Sequence, residues 1–283
     1  MSNLVKVCCA AVTMITIALL LFLFIRDKDM NEIRFVLHRN IVETARQSGV
    51  PEYSTRDIQG FITYSINDIP ADILARYEQS GYEISLAPLF AFTMHADKSN
   101  HNNLGVENVT LQFSSKPYKT HEDGKRFAEK VIAQMNGKKW RRHIEELCPA
   151  VTGRSALLDV EGKLGQAAGC PLDPNYALTK DEWVQMMREE QRYQWIGDGV
   201  LVTFRIAYSE DSRGITYKFF MEFDDFSIKK RKDDQRTQLS LKEGDEKGWG
   251  STERHQKSIE STRELIKVLE ANALKRGDHV VGR

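Results

Sequence analysis

His95, Asp97 and His101 fall within one seven-residue window, the closest grouping of imidazoles and a carboxylate in the chain. Two histidines and an aspartate can ligate zinc when a loop gathers them. Their spacing matches no strong metal signature, so a solvated polar tip is the plainer expectation, and no cofactor is expected. His121, Glu122 and Asp123 form a second polar group. At a helix N-terminus, carboxylates there are explained by the helix dipole without catalysis. Asp224-Asp225 closes the most regular strand pattern and could hold a cation, but a polar strand end accounts for it as well. The chain contains no Gly-x-Ser-x-Gly, no Walker-type loop, no Gly-x-Gly-x-x-Gly and no His-Glu-x-x-His. No catalytic residue is therefore named. An enzyme stays open only because catalytic groups can be assembled in space from distant positions.

The four cysteines form two pairs. Cys8 and Cys9 are adjacent in an apolar run, where small apolar packing is their expected role. Cys148 and Cys170 flank a stretch rich in glycine and small residues, and each is followed by proline. A disulfide between them would close a loop of about 23 residues, worth roughly 3 kcal/mol in chain entropy. That stretch reads as an irregular loop, so a covalent staple suits it. With no Cys-x-x-Cys, zinc-ribbon and thioredoxin readings lack their spacing.

Residues 7–25, from Val7 to Ile25, carry no charge. As a helix they span about 28 Å, close to the hydrocarbon thickness of a bilayer. The run is longer than a signal-peptide core and ends without a small-x-small cleavage site, which favours a retained anchor. Only Lys6 precedes it, whereas Arg26, Lys28, Arg34 and Arg39 follow. Taken literally, the positive-inside rule would leave the main domain in the cytoplasm. The short N-terminal tail, typical of a signal-anchor, and the Cys148/Cys170 pair point to export. The 40 basic and 40 acidic residues give zero formal net charge, which argues against nucleic-acid binding.

The elements follow from periodicity. A helix is expected over residues 26–48, a strand over 61–66, and a helix from Asp68 to before Gly81. The strands over 84–95 and 106–114 form a first hairpin. A helix opens at Thr120 and stops near Asn136-Gly137. A short basic turn of helix follows over 138–147, and a loop over 148–176. Thr179-x-x-Glu182 is a capping box opening a helix through Tyr193. Residues 200–208 and 215–223 alternate apolar and polar side chains and form the second hairpin. Residues 229–250 are expected as a charged linker or a weak extension of the sheet, 259–274 as an amphipathic helix, and the end from Gly277 as frayed. The clusters 138–142 and 229–232 are basic but offset by nearby acids, which suits solvated surface.

The expected fold class is α+β, an antiparallel sheet built from two hairpins packed against helices and preceded by one transmembrane helix. The expected division is an anchor over 1–28, an extracytoplasmic α+β domain over 29–228, and a linker with a C-terminal amphipathic helix over 229–283. The functional expectation is a single-pass, membrane-anchored module at the cell membrane, with its domain periplasmic or extracellular, binding a protein partner. An inhibitory or immunity-type protein is one form of it. A tethered envelope hydrolase and a structural part of an envelope assembly are the alternatives. The expected partners are the membrane, through the N-terminal helix, and a protein, not nucleic acid.

Overall fold

The computed structural model describes residues 32–48, 52–113, 118–165 and 169–282. The apolar run from Val7 to Ile25, with Cys8 and Cys9, lies outside the described residues. Among the described residues no helix is long and apolar enough to cross a membrane. The chain order is β1 (Glu32–Phe35), α1 (Ile41–Gln47), β2 (Ser54–Ile58), β3 (Phe61–Asn67), β4 (Leu74–Tyr77), β5 (Ile84–Leu86), β6 (Leu89–Asp97), β7 (Asn108–Phe113) and α2 (His121–Asn136). It continues through β8 (Arg141–Arg142), a 3-10 turn (Gly153–Leu157), α3 (Lys180–Met186), β9 (Gln191–Gly197), β10 (Val200–Asp211), β11 (Gly214–Asp225), α4 (Phe226–Glu246) and α5 (Ser251–Lys275).

The expected α+β class holds. Eight strands form one antiparallel sheet in the order β2-β3-β6-β7-β11-β10-β9-β8, and β1-β4-β5 form a second, smaller sheet. Both expected hairpins are present. β10 and β11 pair without a break from Val200↔Asp225 to Asp211↔Gly214, and β6 pairs β7. Strict alternation puts Tyr217, Phe219, Met221 and Phe223 on one buried face of β11. The joint between β2 and β3 is Gln59-Gly60, both at positive φ (52° and 91°), which suits the twist of a two-residue hairpin turn.

The buried face is covered in two parts. At one end lie α2 and α3: Phe127 meets Phe113 and Phe219 edge-on or tilted, and the Trp183 indole N–H donates to the Tyr217 hydroxyl at 2.6 Å. At the other end lies the small sheet. Phe35 of β1 packs edge-on against Phe92 and Phe223, and Tyr77 of β4 stacks on Phe223.

Several expected elements are corrected. In place of a helix reaching Ser48 there is β1, then His38 at φ 69°, then α1 capped by the Asn40 side chain. Ile33 and Phe35 satisfy a helical stripe on paper, but alternation buries them when β1 pairs in parallel with β4. The expected helix after Asp68 is β4, whose Ala75 and Tyr77 alternate inward between two partner strands. The basic turn of helix is β8, an edge pairing with β9. The helix opened by Thr179 ends at Met186, and Tyr193 belongs to β9, where Tyr193 and Trp195 alternate into the core.

Residues 229–250 are mostly the helix α4, not a linker. The Asp225 side chain caps it, and Lys, Glu, Gln and Leu are good helix formers even when little is buried. The end from Gly277 is not frayed: Val151 and Val280 form an antiparallel bridge, with Thr152 N–H donating to His279 O and Val281 N–H to Ala150 O.

Candidate functional site

Three distant segments converge where β11 passes into α4. The turn after β1 brings His38, the β6–β7 loop brings His101 and Glu107, and β11 ends in Asp224 and Asp225. Backbone bonds lock the three together: His38 N–H donates to Val106 O, Val106 N–H to Arg39 O, and Asp225 N–H to Glu107 O. Gly105 is required at this crossing, because a Cβ there would come within 2.9 Å of the His38 carbonyl oxygen.

His38 Nε2 lies 2.7 Å from Asp225 Oδ2, and His101 Nε2 lies 4.0 Å from the same oxygen. The other Asp225 oxygen accepts from the Ser227 hydroxyl at 2.7 Å and from Ile228 N–H at 3.0 Å. Burial pushes the Asp225 carboxyl up, but bonds from Ile228, Ser227 and His38 outweigh it and hold the group below the usual carboxylate range. Glu107 is buried and accepts from Lys232 at 2.9 Å and Asn100 at 3.1 Å. Lys229 lies 3.7 Å from Asp224. The basic run at the start of α4 thus serves in part to neutralise buried acids.

Chemically, the node is an imidazole–carboxylate pair with charge-paired neighbours. Among the described residues no hydroxyl or thiol is hydrogen-bonded to His38. No group of three or more His, Cys, Asp or Glu side chains among the described residues is placed to hold a metal ion.

The sequence candidates are dispersed. His95 shares a 3.0 Å hydrogen bond with the Thr63 hydroxyl and stacks on Phe61. Burial, then Lys232, lowers its pKa against the opposing pull of Glu107. Asp97 accepts from Ser99, while His101 faces Asp225. His121 Nδ1 meets the Tyr217 hydroxyl at 2.8 Å, and Asp123 accepts from Thr120 at the helix cap. Cys148 and Cys170 are brought together, with sulfurs 2.10 Å and Cα atoms 5.6 Å apart.

Two features go beyond the sequence candidates. The His38–Asp225 pair spans 187 residues, and nothing local announces it. The second is the outward face of the large sheet. There Thr63, Thr93, Thr110, Gln112, Arg205, Phe220 and Glu222 are all partly exposed. Arg205 pairs with Glu222 at 2.5 Å and lies over the Phe220 ring. Strict alternation in β7 and β11 was the available signal, since it separates this face from the core.

No family model, no curated protein and no solved structure matches the chain.

Proposed function

We propose that this protein is a single-pass, membrane-anchored module whose extracytoplasmic domain binds a protein partner. The observation that carries the binding part is the outward face of the eight-stranded sheet. It spans several strands, mixes aromatic, amide, hydroxyl and guanidinium groups, and leaves them partly exposed. Aromatic residues and arginine are the side chains that interfaces favour, and a rigid sheet presents them with little ordering cost. The uncharged run from Val7 to Ile25 supports the anchor, and the Cys148–Cys170 bond supports an oxidising compartment. An inhibitory, immunity-type role is the form in which the partner is an incoming toxin.

The test is affinity capture from envelope extracts with the full-length chain, beside a Phe220→Arg variant that melts at the wild-type temperature. A stoichiometric partner held by the wild type and lost by the variant supports the reading. If the wild type captures no stoichiometric partner, the reading fails.

A further inference from the structure

A cavity of about 190 Å³ opens between α2 and residues 174–178. Its aromatic lining comes from Tyr176, Trp183 and Tyr193, with Ile132, Leu178 and Pro174 adding aliphatic surface. An engineered apolar cavity of about 150 Å³ holds one benzene ring, so this volume suits one substituted six-membered ring and little more.

The cavity is held open by polar bonds. Asn136 Nδ2 donates to Pro174 O at 2.9 Å and to Asn175 Oδ1 at 3.3 Å, tying the loop to the helix. The Asn136 Oδ1 accepts from the Trp195 indole at 3.0 Å, which fixes the amide. On the far side the Tyr176 hydroxyl donates to Glu182, which also accepts from Arg154 and from Thr179 N–H within the capping box. Asp173, buried below the loop, accepts from Gly153 and Asn175 N–H groups. A loop pinned this way cannot collapse onto the helix without breaking those bonds.

Charge selects the ligand. Two charged groups line the cavity, Lys125 and Glu129, and they pair with each other at 2.5 Å. They leave no net charge for an ion to neutralise, and the remaining surface is mainly apolar. We infer that this cavity is a binding site for one uncharged aromatic ring, independent of the protein-binding face on the other side of the sheet. The ring can belong to a free arene or to an aromatic side chain of a polypeptide.

The test is calorimetric titration of the full-length protein with p-cresol and with N-acetyl-tyrosinamide, which separate the two sources. Saturable binding of either probe is expected, with p-toluenesulfonate excluded by its fixed charge. Ala133→Trp and Ala177→Trp start from exposed alanines lining the cavity and fill it from opposite sides. Each is expected to weaken binding at least about tenfold, with the melting transition kept. Should one variant fail to fold, the other decides. Failure of both probes to bind the wild type, unchanged affinity in a folded filled variant, or equal binding of the sulfonate overturns the assignment. Partner capture through the sheet face is read separately, so either proposal can fail alone.

Discussion

His38 and Asp225 stand 187 residues apart in the chain and 2.7 Å apart in the fold. The aspartate is also the cap of α4, so one carboxylate joins the turn after β1 to the start of the C-terminal helices. Asp225→Ala removes the cap and leaves His38 without its acceptor, and it should destabilise the protein by about 1–3 kcal/mol. His38→Ala should cost less, because its side chain is about half exposed. Urea unfolding of both single variants and the double variant checks this. A coupling energy above about 0.5 kcal/mol is expected, and strictly additive effects would show that the pair is incidental.

The pH dependence follows from two histidines whose pKa values lie below the ordinary value. Burial is the main cause at both. Lys232 adds to it at His95, while Glu107 opposes it there, and Glu145 opposes it at His143. A lowered histidine pKa means that the unfolded chain binds the proton more readily. The stabilisation is therefore fully present above the unfolded value of about 6.5 and is lost as pH falls through the folded values. The depressed Asp225 carboxyl behaves alike but in a lower window. Its contribution persists until pH falls below about 3.9 and is lost through its folded pKa. Thermal melts between pH 7.5 and 5 should show a falling midpoint, and His95→Gln should flatten part of that slope.

Removal of the Cys148–Cys170 bond should cost roughly 3 kcal/mol on loop-closure grounds. The bond has local consequences too. Its loop begins beside residues 150–152, on which the C-terminal segment pairs, and Ala150 N–H donates to Glu270 of α5 at 3.0 Å. Hydrogen exchange of Cys148→Ser should therefore show faster exchange at the Val281 and Thr152 amides. The same variant should be insensitive to added reductant, whereas the wild type should lose stability with it.

Gly124 sits in α2 against the Tyr217 ring, and a Cβ there would overlap it. Tyr217 is itself held by Trp183 and His121, so it has little freedom to retreat. Gly124→Ala should destabilise by about 1–3 kcal/mol in chemical denaturation, against the usual gain of alanine within a helix. Leu239→Lys serves as the contrast. Leu239 is 68% exposed on α4, and its replacement should change stability by no more than about 0.5 kcal/mol.

Legibility in the sequence tracked the range of the interactions. β10 and β11 were readable because each strand carries its own alternation and the connection between them is short. The cap at Thr120 and the capping box at Thr179 were readable because cap and partner lie three residues apart. β4 resembles a helix in sequence because Pro70 and Gly81 imitate helix punctuation, while the pairing with β1 that makes it a strand lies some 40 residues upstream. The candidate residues fared similarly. Cys148 and Cys170 met, since spacing and loop character constrain them. His95 and His101 diverged, since strand alternation sends one to Thr63 and the loop sends the other to Asp225.

The sequence alone therefore determined the antiparallel hairpins, the principal caps, the cysteine pairing and the balanced charge. Each depends on residue type within a few positions or on a single closed loop. The tertiary structure decided the order of the eight strands, the small sheet closing the core beside Phe223, and the His38–Asp225 pair. It also decided the cavity between α2 and the 174–178 loop. Those features arise where segments far apart in the chain bury one another's apolar surface. Burial also decides which polar groups must find partners, so no local pattern could have specified them.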